Sequence, residues 1–464
     1  MKKGDTVKLT LTDLNNLGCG VGRLDDGQVV FVPGGVCGDT VTAKVIKVNS
    51  SYLVARLESV DVMSEYRLKN DICTAPESCG GCVYRHVTYE RELELKREYV
   101  VNVFKKAGLP DVKVGRVLST GNTTEYRNKA QYPVANTKNG LASGFYAAKT
   151  HKLAASEKCP LQPKIFAEIV DFVCRFAEEK GVKAYDETNG TGVLRHIYIR
   201  EGKGSGEIMV CLVLRRENEA FDKDFAEKLT AKFENVTSVM INYNRKETNV
   251  VTGKEYVCLK GNDYIEDVVL GVRFRINPAS FWQVNHDGAE LLYSIAAEKA
   301  ELTGKEILLD LYCGTGSIGL TMAKNVKGLI GVEIVPEAVE CAKMNAEING
   351  IDNAEFYCGD ASDTEGILGR AERESGREIK ADVVILDPPR KGSTPELIKY
   401  IADRKIPKVV YVSCGPDTLA RDCAEFMKYG YEIKGEVTPV DMFPRTGHVE
   451  SVVCLTRRNE LPRH

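Results

Sequence analysis

The chain has 464 residues, room for about three domains at ~150 residues each. With 43% hydrophobic and 28% charged residues, no apolar run near the ~20 residues that span a bilayer, and no apolar core in the opening MKKGDTVKLTLTDL, it reads as a folded cytoplasmic protein rather than a membrane or secreted one. Sixty-three Lys and Arg against 66 Asp and Glu give a net charge of −3, which excludes a uniformly basic polyanion binder but not a local basic face. Fifteen cysteines, an odd number without a signal peptide, favour reduced thiols, metal ligands or a nucleophile over a disulfide framework.

Residues 1–60 hold short β-rich runs, Val29–Val32 and Val41–Val45, between the glycine turns at Gly18–Gly20 and Pro33–Gly35. Such spacing predicts a small β-barrel or sandwich. From 61 to 84 the periodicity lapses and three cysteines crowd together. A helix is expected over 88–108, with Tyr89, Leu93, Val100, Phe104 and Ala107 on one face, placed to pack on the C-terminal part of the chain. Residues 61–275 form the predicted central unit, mainly β from 121 with a helix near 163–180. Residues 276–464 form the third, in which apolar runs at Ile307–Leu311, Leu329–Val332, Val383–Leu386 and Val409–Val412 alternate with helices. That alternation predicts a parallel sheet covered on both faces, giving a multi-domain α/β chain overall.

The strand at 307–311 runs into Asp310-Leu311-Tyr312-Cys313-Gly314-Thr315-Gly316-Ser317-Ile318-Gly319. Its glycines let the backbone turn tightly against a ligand at a helix N-terminus. Glu333 ends the next strand 19 residues after Gly314, placed to accept from both hydroxyls of a ribose. Spacing alone fits a dinucleotide as well as S-adenosylmethionine. Asp310 beside the glycines suits a methionine ammonium better than a pyrophosphate, and Asp387-Pro388-Pro389-Arg390 sets another acid at the ligand-binding end of a later strand.

The strand Lys408–Ser413 delivers Cys414 to the same sheet edge, and Gly415 and Pro416 turn the chain into a helix whose dipole favours a thiolate. Cys414 is the candidate nucleophile. Glu450, before the strand 451–455, is the candidate general base, and its bland alternative is an edge-strand carboxylate in water. His448 reads as structural.

Cys73, Cys79 and Cys82, spaced C-x5-C-x2-C, and the distant Cys159 form a possible metal set, with Gly80 and Gly81 allowing tight wrapping. This is not the paired C-x2-C of a zinc ribbon, so iron–sulfur, zinc or no metal all stay open on spacing. From Thr123 to Pro160 there are six Lys or Arg and two acids, interleaved with Tyr126, Tyr132, Phe145 and Tyr146, the mixture that single-stranded RNA needs.

On Phe281-Trp282-Gln283-Val284-Asn285, Asp310–Gly316, Gly331-Val332-Glu333, Asp387–Arg390, Ser413-Cys414-Gly415-Pro416 and His448-Val449-Glu450, in this order, the chain resembles the RNA uracil-5-methyltransferase family, and within it the branch that methylates 23S rRNA. The resemblance spans essentially the whole chain, and the first unit resembles the TRAM domain, an OB-like RNA-binding barrel. It implies a Rossmann-like C-terminal domain that binds S-adenosylmethionine through Gln283, Tyr312, Glu333 and Asp387, with Cys414 as nucleophile and Glu450 as base. It also implies a [4Fe–4S] cluster on Cys73, Cys79, Cys82 and Cys159, a flipped-out uridine of 23S rRNA as substrate, and no obligate protein partner. Gly415 departs from the family's usual Asn. A tRNA uracil methyltransferase and, from a different class, a non-catalytic RNA-binding protein with a relic methyltransferase domain are the alternatives. A dehydrogenase would leave SCGP and DPPR unexplained.

Overall fold

The computed structural model describes residues 1–156, 158–376 and 378–458; residues 459–464, the end of the third predicted unit, and Glu157, one of the acids counted above, lie outside them. Strands β1 (Thr6–Leu14), β2 (Cys19–Arg23), β3 (Val29–Pro33), β4 (Thr40–Val48) and β5 (Tyr52–Val62) close into a barrel in the order β1-β2-β3-β5-β4. Alternation sends Val7, Leu9, Leu11, Val30, Val32, Val41, Ala43 and Val45 into one small core, and closure removes exposed strand edges. The chain leaving the barrel is pinned by a buried ion pair, Arg67 Nη2 donating to Asp39 Oδ2 at 2.6 Å.

Helix α1 (Tyr89–Lys106) follows the cysteine-rich segment. Its buried face differs from the periodicity reading: Glu92, Leu95, Lys96, Val100, Val103 and Phe104 face inward, so two charged residues sit where an apolar stripe was expected. Val100, Val103 and Phe104 join the core formed by the C-terminal sheet.

A seven-stranded sheet comes next, built from β6 (Lys129–Thr137), β7 (Gly140–Tyr146), β8 (Leu153–Ala155), β9 (Leu194–Gly202), β10 (Glu207–Leu214), β11 (Val236–Tyr243) and β12 (Glu255–Gly261), in the order β12-β11-β10-β9-β6-β7-β8. Helices α2 (Lys164–Glu179) and α3 (Lys223–Lys232) cover one face over Ile197, Ile199, Val210 and Leu212. On the other face Tyr198, Met209, Cys211 and Met240 pack with Phe274 and Trp282, so β9 and β10 are buried on both faces, Arg195, His196 and Arg200 included. The hairpin β13 (Ile265–Val269) and β14 (Val272–Ile276) lies in that second layer.

The C-terminal part contains α4 (His286–Ala300), β15 (Ile307–Leu311), α5 (Ser317–Met322), β16 (Gly328–Glu333), α6 (Pro336–Ile348), β17 (Ala354–Cys358), α7 (Thr364–Ser375), β18 (Val383–Leu386), α8 (Pro395–Asp403), β19 (Lys408–Ser413), α9 (Pro416–Lys428), β20 (Tyr431–Ile433), β21 (Thr438–Val440) and β22 (Glu450–Arg457). Its sheet runs β17-β16-β15-β18-β19-β22-β20, with β21 also on β22. The pairs from β17 to β19 are parallel, whereas β22 is antiparallel to β19, β20 and β21. Strand order reverses between β15 and β18, which opens the crevice where such sheets bind ligands. No helix among the described residues is long and apolar enough to cross a membrane.

Candidate active site

The turn after β15 is built by backbone conformations that side chains disfavour. Tyr312, Gly314 and Gly316 have φ of 66°, 55° and 80°, and Gly316 caps α5. A Cβ at Gly319 would stand 2.7 Å from Asp310 Oδ2, so glycine there lets the helix approach the strand closely enough for Gly319 N–H to donate to that oxygen at 2.9 Å. The other oxygen, Oδ1, is buried with no hydrogen-bond partner. Burial, assisted by the nearby Asp387 and Glu333, pushes Asp310 up to about 7. A buried carboxyl with a free oxygen at the switch point is a ready acceptor for a cationic ligand group.

Glu333 closes the far side of the turn. Its Oε2 accepts from Gly314 N–H at 3.1 Å and its Oε1 from Val335 N–H at 2.9 Å, which fixes the carboxylate while leaving lone pairs for a diol. Asp387 leaves the end of β18, and desolvation pushes it up to about 7. Tyr293 on α4 is buried near Asp387, Asp310 and Glu450, with its hydroxyl 3.1 Å from Ser317 Oγ. Neither Tyr293 nor Arg390 was given a role from the sequence: Tyr293 belongs to none of the quoted motifs, and Arg390 entered only as the last residue of Asp387–Arg390.

Gln283 enters on the segment before α4. Asn128 Nδ2 donates to its carbonyl at 3.0 Å, and Asn128 N–H donates to Val284 O at 2.8 Å, so the central sheet fixes this segment. Trp282 is anchored by Nε1 donating to Asp267 Oδ2 at 3.0 Å, while Phe281 stays 73% exposed. Asn285 works at both ends: Oδ1 caps α4 by accepting from Gly288 N–H, and Nδ2 donates to Met442 O at 3.0 Å. Asn285→Ala loses both bonds and is expected to cost about 1–2 kcal/mol, read as a lower midpoint in urea unfolding.

Cys414 and Glu450 stand at the same end of two neighbouring strands. In the β19–β22 ladder Val412 pairs with Val452 and Ser413 with Ser451, so the next positions, 414 and 450, stand opposite at its end. The thiol is partly exposed; Glu450 is buried, 5% exposed, on a strand with neighbours on both sides. This removes the edge-strand reading of Glu450. Burial, with Asp387 nearby and Arg390 opposing, pushes Glu450 up to about 8. The expectation for Cys414 needs correction: its thiol is raised rather than depressed, to about 11. Burial and the carboxyls of Glu450 and Asp387 outweigh Arg390 and its own backbone N–H at the start of α9.

Cys73, Cys79, Cys82 and Cys159 line one cavity of about 440 Å³, together with Arg85, Arg127 and Arg445. Burial first, then the other three thiols, pushes Cys82 up to about 12; burial pushes Cys159 up to about 11. Among the described residues no three His, Cys, Asp or Glu converge closely enough to hold a single metal ion. A polynuclear cluster, in which each thiolate takes its own iron, makes no such demand; of the cavity's arginines, Arg85 pairs with Asp71 and Arg445 donates to Val87 O. A Cβ at Gly80 would meet Ala148 Cα at 2.9 Å, so glycine there lets the cysteine segment pack against the turn after β7.

The aromatic surface also needs correction. Tyr126 and Tyr132 are 1% and 5% exposed, the first donating to Pro444 O at 2.9 Å and the second packed on Phe145, so neither can stack on RNA. Tyr146 is accessible and stacks on His151 at 5.3 Å, with Lys138, Lys149, Lys152 and Lys158 exposed on the same stretch.

Comparison with known proteins agrees with this arrangement. Residues 88–458 match the tRNA (Uracil-5-)-methyltransferase family, and residues 1–57 match the TRAM domain. An uncharacterized RNA methyltransferase of Clostridium acetobutylicum is 39% identical over 464 residues, 98% of each chain, and one of Listeria innocua is 40% identical over 456 residues, again 98% of each. The crystal structure of Pyrococcus abyssi tRNA (uracil-54, C5)-methyltransferase in complex with S-adenosyl-L-homocysteine superposes with a TM-score of 0.77 at 29% identity, covering 97% of this chain and 99% of that one. A TRAM barrel, a switch-point crevice with its glycine turn, and a thiol opposite a buried carboxyl thus coincide with full-length similarity, and the chain belongs to the tRNA (uracil-5-)-methyltransferase family of S-adenosylmethionine-dependent RNA methyltransferases.

Proposed function

We propose that this protein methylates C5 of a uridine in 23S rRNA, giving 5-methyluridine, with Cys414 as nucleophile, Glu450 as general base, and Gln283, Tyr312, Glu333 and Asp387 holding the methyl donor. The observation that carries the chemistry is the pairing of an accessible thiol with a buried carboxyl at the end of the β19–β22 ladder. C5 of uracil is too weakly nucleophilic to take a methyl group directly. Addition of the Cys414 thiolate to C6 creates an enolate, and its C5 attacks the electrophilic methyl that S-adenosylmethionine supplies. Glu450 then takes the C5 proton, and elimination returns the cysteine. The base must leave its stack to reach the crevice, a cost of a few kcal/mol that is least in loops.

The choice of 23S rRNA rests on the resemblance, through the combination of the N-terminal barrel with the four cysteines. On this reading residues 1–60 and 61–275 are the RNA-binding units, 276–464 the catalytic one, and Cys73, Cys79, Cys82 and Cys159 hold a [4Fe–4S] cluster with a structural role. A tRNA substrate is the second reading, favoured by the likeness to the Pyrococcus abyssi tRNA (uracil-54, C5)-methyltransferase. Labelled S-adenosylmethionine offered with unmodified 23S rRNA and, separately, unmodified tRNA decides between them: 5-methyluridine in rRNA supports the proposal, and label confined to tRNA replaces the substrate. Anaerobically purified protein is expected to hold about four iron atoms per chain; zinc without iron rejects the cluster.

A further inference from the structure

Strands β21 and β22 form a hairpin whose last ladder pair is Val440 with Glu450, so the connecting segment Asp441–Val449 begins and ends at the carboxyl assigned as base. That segment is held from several sides. Asn285 Nδ2 donates to Met442 O, Tyr126 Oη to Pro444 O, and Tyr84 N–H to Arg445 O. A Cβ at Gly447 would lie 1.8 Å from Asn16 O of the barrel, so the strap touches the N-terminal unit as well. Arg445 adopts a left-handed φ of 71°, which a non-glycine residue holds only where surrounding contacts enforce it.

At the centre of these contacts is Lys96, with its side chain 1% exposed. Its ammonium donates to Glu92 Oε1 at 2.7 Å, to Asp441 Oδ1 at 2.7 Å and to Phe443 O at 3.2 Å. Three donors thus find three acceptors, two of them on the strap. Asp441 Oδ2 accepts from Tyr89 Oη at 2.8 Å, and Glu92 Oε1 also accepts from Arg445 N–H at 2.7 Å. Both carboxylates are fully buried, and Arg445 Nη1 stands 3.6 Å from Glu92 Oε2, so loss of the lysine cation falls mainly on Asp441, which must then protonate or move toward water.

We propose that Lys96 is a positioning residue for Glu450: by tying Asp441 and Phe443 to α1 it fixes the hairpin loop whose closing pair carries the base. The proposal rests on the reading of Glu450 as base. It predicts a defect confined to one step, because addition of Cys414 and methyl transfer do not use Glu450, whereas removal of the C5 proton does. A base displaced by about 1 Å can lose about 10²-fold in rate.

The test is a denaturing gel with labelled RNA, alongside the rate of release of methylated product, for the full-length protein and for Lys96→Met, Tyr89→Phe and Glu450→Gln. The expected result is a methylated covalent protein–RNA complex that accumulates in Glu450→Gln and in Lys96→Met, and more weakly in Tyr89→Phe, which removes only the hydroxyl bond to Asp441. If Glu450→Gln accumulates the complex while Lys96→Met resolves it at the normal rate, or loses adduct formation and turnover together, the role of Lys96 is rejected. Should Lys96→Met fail to fold, Tyr89→Phe decides: normal resolution there rejects it. No accumulation in Glu450→Gln overturns the base assignment and this inference with it.

Discussion

Cys414→Ala is expected to abolish methyl transfer, lowering turnover at least about 10⁴-fold, in keeping with loss of a nucleophile on which every later step depends. The check is incorporation of label from S-adenosylmethionine into RNA, with binding of the methyl donor measured separately and expected to persist. In the free protein the thiol is raised to about 11. Only about one molecule in 10⁴ is therefore a thiolate at pH 7. Reactivity of Cys414 toward iodoacetamide, followed at this one site by mass spectrometry, should accordingly climb with pH well past 9. The sign of its coupling to Glu450 can be checked in the same way. The ionised carboxyl raises the thiol, so Glu450→Gln should alkylate faster than the unaltered protein above pH 8. Below pH 6, where Glu450 is already neutral, the two should match.

Glu450→Gln should slow turnover about 10²–10⁴-fold, the usual contribution of a positioned base, while leaving the adduct-forming steps in place. Because the unaltered carboxyl titrates at about 8, proton removal is expected to rise with pH up to that point and level off above it. Stability runs the other way. A carboxyl whose folded value is raised from 4.5 to about 8 contributes stability that is fully present below about 4.5 and is lost as pH rises through about 8. Thermal unfolding should therefore show Glu450→Gln gaining relative to the unaltered protein between pH 5 and pH 9. A variant that tracks the unaltered protein across that range would place the raised titration on some other group. A base kept ready in a dry pocket is thus expected to cost stability at the pH where it works.

Much of this site follows from sequence because its parts sit where short motifs dictate local conformation. The glycines at 314, 316 and 319 announce a tight turn and a close helix approach, both of which the backbone adopts. Apolar runs of four to six residues between helical segments, such as Val383–Leu386 and Lys408–Ser413, announce buried parallel strands, and strand-end position alone brings Asp310, Asp387 and Cys414 to one edge. The cysteine spacing suggested a metal set, and the fold brings all four thiols, including that of the distant Cys159, to the wall of one cavity.

The charge state of the site was not legible. A helix N-terminus after Cys414 suggested a depressed thiol, but the opposing carboxyls come from β18 and β22, which only the assembled sheet brings near. Tyr126 and Tyr132 looked like stacking platforms because composition does not reveal which way a residue faces: Tyr132 turns into the core under β6, and Tyr126, before that strand, is buried against Pro444. Lys96 was given no role from the sequence, since its partner Asp441 lies more than three hundred residues downstream. What the sequence determined by itself was local: turns, strand ends and the identity of the reactive groups, all set by backbone sterics and hydrophobic periodicity. What only the tertiary structure decided was which of those groups are dry and which charges face each other, because desolvation and Coulomb energy depend on distances that no local pattern encodes.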